Sequence, residues 1–106
     1  MTLEDRLLDR GHTVGRHVCL GIRRGIQHLH RLGLSHNDIN PYNIMFKSDG
    51  TPVQIDFDSC AYIGEKLHKG GGWEDQIYEY ASPANDYAAL KKIEEIIDSL
   101  WENGRE

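Results

Sequence analysis

Six apolar residues, Val14, Val18, Ile22, Ile26, Leu29 and Leu32, recur at steps of three and four. That spacing puts them on one side of a helix and predicts an amphipathic helix from Thr13 to Leu32. Arg16, Arg23, Arg24 and Arg31 fall mostly off the stripe, and Gly33 supplies the C-terminal stop. A second stripe, Leu90, Ile93, Ile96, Ile97, Leu100 and Trp101, predicts another helix near the far end of the sequence. Ser82-Pro83 reads as its start, with Ser as cap and Pro in the first turn, and Asn103-Gly104 as its end. With 106 residues the chain makes one small domain at most, and its core is limited.

Between the two helices the pattern changes. Pro41 and the polar residues around it make 35–43 a loop. Ile44-Met45-Phe46 and Val53-Gln54-Ile55 are short apolar runs around Ser48-Asp49-Gly50, a hairpin signal with a connection longer than two residues. Residues 56–81 hold Gly64, Gly70, Gly71 and Gly72 and no sustained period, which reads as a long ordered loop or a partly mobile one. Ahead of the first stripe, Thr2 followed by Leu3-Glu4-Asp5 suggests a capping box on a short helix that Gly11 interrupts. The expected class is mainly α with a small β-hairpin, in the order helix, loop, hairpin, long loop, helix.

Composition narrows the partners. A formal net charge of −5 argues against nucleic acid or an anionic membrane, both of which need a basic face. There is no run of about 18 apolar residues for a membrane span and no charged-then-apolar leader pattern. Cys19 and Cys60 lie far apart without paired spacing and read as reduced thiols, as expected of a cytoplasmic or nuclear protein. The six histidines include no zinc-type pairing.

The chemistry concentrates in His36-Asn37-Asp38-Ile39-Asn40-Pro41-Tyr42-Asn43 and in Ile55-Asp56-Phe57-Asp58. If the strands around 44–46 and 53–55 pair, Asn43 and Asp56 come to the same end of the hairpin. Asp38 stands further out on the loop, open to a substrate hydroxyl. Two carboxylates and an amide oxygen are hard ligands that suit Mg²⁺ and a phosphate beside a carboxylate base. Taken singly, each piece is ordinary: Asp and Asn in loops usually cap or turn the backbone. The weight lies in the pieces occurring together with a helix before, a hairpin between and a long loop after.

These residues resemble the C-terminal lobe of eukaryotic protein kinases, and are most similar to fungal protein kinase-like proteins. Leu29-His30-Arg31-Leu32-Gly33-Leu34-Ser35-His36-Asn37-Asp38 resembles the end of the lobe's long helix and its catalytic loop, which Pro41-Tyr42-Asn43-Ile44-Met45 completes. Val53 to Cys60, then Ile63-Gly64-Glu65, resembles the metal-binding strand end and activation segment. Gly71-Gly72-Trp73 is similar to the loop that receives a protein substrate. Asn85-Asp86-Tyr87-Ala88-Ala89-Leu90 is similar to the start of the helix that follows it. The likeness spans about residues 13–101 and makes 1–106 a partial kinase-like domain, without counterparts of the nucleotide-covering lobe and the later helices.

The resemblance implies ATP- and Mg²⁺-dependent phosphorylation of protein Ser/Thr hydroxyls, with weak or absent turnover from these residues alone. It implies Asp38 as catalytic base, and Asn43 and Asp56 as ligands of metal and nucleotide. It makes His36 structural beneath the loop and has Asp86 hydrogen-bond the loop backbone from below. Three positions depart. Asn37 replaces an Arg, which removes the expected reader of activation-loop phosphorylation. Asn40 replaces a Lys, and Asp58 replaces a Gly. The last two changes subtract a positive charge and add a negative one near a phosphate. Two alternatives follow: a non-catalytic pseudokinase fragment that binds a partner, and a small-molecule kinase of the aminoglycoside or choline type. Trp73 is expected to anchor the long loop, and Tyr62, Tyr78 and Tyr80 to be solvated. An exposed apolar side of the last helix would favour self-association.

Overall fold

The computed structural model describes residues 1–8, 14–67 and 77–103, with the backbone alone at 101–103. Its elements in chain order are α1 (Leu3–Leu8), α2 (Arg16–Arg31), β1 (Leu34–Ser35), a 3-10 turn (Pro41–Asn43), β2 (Ile44–Phe46), β3 (Pro52–Gln54), β4 (Ala61–Tyr62) and α3 (Pro83–Asn103). The architecture is mainly α with a small antiparallel hairpin, β2–β3, and a second two-residue pair, β1–β4.

The first stripe does what its period dictates over three turns. Val18, Cys19, Ile22 and Ile26 of α2 are buried with Leu90, Ile93 and Ile97 of α3, and Leu3, Ile39 and Ile44 complete that core. Toward its end the stripe leaves the core: Leu29 is half-buried and Leu32 is 58% exposed. Gly33 takes φ 81°, the left-handed cap conformation that glycine adopts without strain. On α3, Ile96 is half-buried and Leu100 is 44% exposed, so only part of the second stripe finds a partner among the described residues. Ser82 caps α3, its Oγ accepting from the Ala84 N–H at 3.2 Å. Arg16 bridges to Asp98 and Glu94, and Arg23 to Glu94, which pins α2 to α3 along their solvent edge. The expected stop at Asn103-Gly104, the Gly11 interruption, the Gly70-Gly71-Gly72 run and the anchoring of Trp73 lie outside the described residues or side chains.

Helix α2 also carries the hairpin, and two glycines allow it. A Cβ at Gly21 would lie 2.5 Å from the Pro52 ring, and one at Gly25 would lie 2.7 Å from the Gln54 side-chain nitrogen. With hydrogen at both positions β3 settles on the helix, and Gln54 Nε2 donates to the Ile22 carbonyl at 2.9 Å. The strand runs over 52–54, one residue earlier than its apolar run suggests. Ile55 still pairs beyond it, its N–H donating to the Asn43 carbonyl at 2.8 Å. Gly50, at φ 89°, turns the 47–51 connection. At the other end α1 opens as expected: Thr2 Oγ accepts from the Asp5 N–H, and Asp5 Oδ2 accepts from the Thr2 N–H. Arg6 lies over the Phe46 ring at 3.7 Å, which seats α1 on β2.

The loop expected at 35–43 begins as β1, paired with β4 in the register Leu34 with Tyr62 and Ser35 with Ala61. The long connection after Asp56 is tied down at several points. Ile63 N–H donates to the Gly33 carbonyl, Gly64 N–H to the Ala81 carbonyl, and Ala81 N–H to the Glu65 carbonyl. Tyr62 and Tyr80 are exposed as expected; Tyr78 differs, being half-buried with its hydroxyl donating to the Asn85 carbonyl. Both cysteines are free, and burial pushes the Cys19 thiol up to about 11. No helix among the described residues is long and apolar enough to cross a membrane.

Candidate functional site

The loop after β1 is held from beneath. Asp86, in the first turn of α3 and 1% exposed, accepts from the backbone N–H groups of His36 at 3.0 Å and Asn37 at 2.8 Å. Its Oδ2 also meets His30 Nε2 from α2 at 2.8 Å. One carboxylate thus joins both long helices to the loop, and burying it is tolerable because donors surround it. Asn37 takes φ 70°, a conformation Asn reaches more readily than most non-glycine residues, and Asp38 beyond it is half-buried.

His36 connects this loop to the turn that carries Asp56. Its Nδ1 accepts from the Asp38 N–H at 3.2 Å, so Nε2 carries the proton and donates to the Ile55 carbonyl at 3.0 Å. Its ring packs at 5.1 Å from that of Phe57. The imidazole is fully buried, as its structural assignment requires. Just beyond Ile55, Asp56 adopts φ 57°, and its Oδ1 accepts a long 3.4 Å bond from the Asp58 N–H. Asp56 and Asp58 are both exposed.

Asp38 is set by two amides. Asn40 Nδ2 donates to its Oδ1 at 3.2 Å, and Asn43 Nδ2 donates to its Oδ2 at 3.2 Å and to its backbone carbonyl at 3.0 Å. Burial raises the Asp38 carboxyl above the usual carboxylate range. The neighbouring His36 ring and the two amide bonds pull the other way, and the nearby negative charge of Asp56 adds to the rise. Asn40 also caps the 3-10 turn through Oδ1 and the Tyr42 N–H, which delivers Asn43 to the mouth of the hairpin. The expected meeting of positions 43 and 56 is there: Ile44 pairs with Gln54, and the Ile55 N–H meets the Asn43 carbonyl.

With its nitrogen engaged by Asp38, Asn43 has Oδ1 as the atom that could ligate a cation. Among the described residues no three His, Cys, Asp or Glu side chains form a metal-holding group. The candidate donors are the Asn43 amide oxygen and the exposed Asp56 carboxylate. That set fits Mg²⁺, which takes a few hard protein oxygens and retains several waters. A concavity on α3, lined by Lys92, Glu95, Ile96, Ser99 and Leu100, includes none of the three residues.

Two residues carry more of this geometry than their sequence context suggests. Asn37, noted only as a departure, donates through Nδ2 to the Ser35 and Ser59 carbonyls, and its Oδ1 accepts from Ser35 Oγ and Asn85 Nδ2. Asn85 further donates to the Tyr80 carbonyl. Their one sequence signal is polarity next to Asp38 and Asp86.

The chain is 40% identical over 52 residues to the serine/threonine-protein kinase ste20 of Aspergillus fumigatus, covering 49% of this chain and 6% of that protein. About half of this chain is similar to serine/threonine protein kinases. Serine/threonine-protein kinase 16 of Homo sapiens is 36% identical over 59 residues, 52% of this chain and 19% of the relative. PAK 5 of Rattus norvegicus is 35% identical over 52 residues, 49% and 7%. The chain thus spans less than a fifth of the length of these curated relatives. No protein-family model matches it.

Proposed function

We propose that the Asp38 loop and the Asp56 turn form the base-and-metal side of a phosphoryl-transfer site that takes Mg²⁺·ATP and a Ser or Thr hydroxyl of a protein. The observation that carries this reading is the Asn43 amide. It binds Asp38 through its nitrogen, while the Asn43 backbone carbonyl accepts from the Ile55 N–H, one residue before Asp56, so one residue ties the proposed base to the turn that carries the proposed ligand. Asp38, held by two neutral amides and partly desolvated, orients an incoming hydroxyl and accepts its proton. Asn43 Oδ1 and the Asp56 carboxylate would hold Mg²⁺, which when bound supplies neutralisation of phosphate charge. His36 keeps the two turns at a fixed separation through Ile55 and the Asp38 N–H.

A second reading, partner or nucleotide binding without transfer, draws on Asn40 and Asp58. Asn40 spends its side-chain donors on Asp38 and the Asp38 carbonyl, so it offers the phosphate no cation. Asp58 adds an exposed negative charge next to Asp56. Calorimetric titration of ATP with and without Mg²⁺ tests the main reading, and a peptide phosphorylation assay separates the two. Binding that requires Mg²⁺ and is lost in Asp56→Asn is expected. Binding indifferent to both would refute the site. Tight binding with no transfer in wild type and Asp38→Asn alike would select the second reading.

A further inference from the structure

Asn37 has no exposed surface and uses every side-chain hydrogen-bonding group it has. Nδ2 donates to the Ser59 carbonyl at 2.8 Å and the Ser35 carbonyl at 3.0 Å. Oδ1 accepts from Ser35 Oγ at 2.8 Å, Asn85 Nδ2 at 3.0 Å and the Ser82 N–H at 3.4 Å. These partners come from both flanks of the segment between the Asp56 turn and α3. Ser59 lies three residues after Asp56; Ser82 and Asn85 sit at the start of α3. The same flanks meet again where residues 63–67 run beside 79–81: Gly64 N–H donates to the Ala81 carbonyl, and Leu67 N–H to the Glu79 carbonyl.

We propose that Asn37 is a positioning residue, a neutral clamp that holds the Asp56 turn and the two flanks of the following segment against the Asp38 loop. Every side-chain partner of Asn37 is an amide, a carbonyl or a hydroxyl, so the clamp needs no charge and no modification to close. Its strength is accordingly insensitive to ionic strength, unlike a charge-based tie between the same elements. A buried polar network of this kind specifies one arrangement only when every member is satisfied, and here both donors and the acceptor are. What the clamped turns do rests on the phosphoryl-transfer reading. The clamp is tested without nucleotide, metal or turnover, so its failure is separable from failure of that reading.

The test is residue-resolved amide hydrogen exchange on the 106-residue chain. Asn37→Gly keeps the positive φ at no steric cost and deletes only the clamp. Asn37→Asp keeps an acceptor for Ser82 and Asn85 but turns an oxygen toward the Ser59 carbonyl. Both should speed exchange at Cys60 and Ile63 by about tenfold, the loss of roughly one net hydrogen bond, while α2 amides such as Ile22 and Ile26 change little. Asn37→Gly should also speed Ala81, and should add little to it in an Asn85→Ala background, because the two side chains share one bond. The Asn37→Gly and Asn85→Ala ratios should not change between low and high salt. Unchanged exchange at Cys60 and Ile63, equal acceleration across α2, or unfolding of both variants would overturn the clamp, as would additive effects of Asn37→Gly and Asn85→Ala.

Discussion

The Asp38 loop and the Asp56 turn lie side by side but are built differently. In the loop, Ser35, His36, Asn37, Asn40 and Asn43 are buried, and each has its side chain hydrogen-bonded. In the turn, Asp56, Phe57 and Asp58 are exposed, and the Asp56 carboxylate keeps one long bond. The contrast separates two tasks. A base of the kind proposed for Asp38 must be held at a set position and desolvated enough to accept a proton, and the loop's neutral donors hold its carboxylate in place. A cation ligand of the kind proposed for Asp56 must keep lone pairs free, and among the described residues its carboxylate accepts this one long bond. A rigid side next to an open one is the preorganisation that the proposed site would need.

Removing the support beneath the loop should produce the largest effect. Asp86→Ala strands two buried backbone N–H groups and the His30 ring, and should cost about 3 kcal/mol or more in urea unfolding. A cost near zero would show that the loop holds itself. Next comes the seat of the hairpin. Gly21→Ala gains about 1 kcal/mol of helix propensity but drives a Cβ into the Pro52 ring, for a net loss of about 1–3 kcal/mol. Gly25→Ala meets only the end of the Gln54 side chain and should stay within about 1 kcal/mol of wild type. The same denaturation series reads both, and equal effects would mean that β3 does not rest on the helix as tightly as these distances require.

Much of this was readable in the sequence, and what escaped did so for definite reasons. The two stripes announced α2 and α3 because a 3.6-residue period is a local signal. Asn43 and Asp56 could be placed together because a hairpin brings its own ends together. β1 and β4 went unseen: two-residue strands pair through backbone groups alone, across a separation of about 27 residues, and leave no side-chain pattern. Gly21 and Gly25 look like weak points in a helix until Pro52 and Gln54 are known to lie on them. Asn37 and Asn85 gather meaning only from partners up to 48 residues away.

Titration distinguishes the loop carboxylate from those on the surface. Burial raises the Asp38 carboxyl, whereas the Thr51 backbone N–H lowers Asp49 and the Arg16 guanidinium lowers Asp98. A raised carboxyl favours the neutral form in the folded chain. Its contribution to stability is therefore present below the unfolded carboxylate pKa of about 3.9 and declines as pH rises through the folded value. Asp98 runs opposite, adding stability above that pKa and losing it as pH falls. Carbon-detected NMR should find Asp38 titrating at higher pH than both others, and an Asp38 midpoint at or below theirs would deny its desolvation. The smallest effect on stability belongs to the turn. Asp56→Asn should lie within about 0.5 kcal/mol of wild type, since Asn tolerates the same positive φ.

Paramagnetic relaxation with Mn²⁺ in place of Mg²⁺, in the presence of ATP, tests the central assignment most directly. Selective broadening of the Asn43 side-chain amide and of the Asp38 and Asp56 resonances is expected, with Asp49 and Asp98 spared and the effect lost in Asp56→Asn. Broadening shared evenly among Asp49, Asp98 and the other surface carboxylates, with Asn43 untouched, would contradict it.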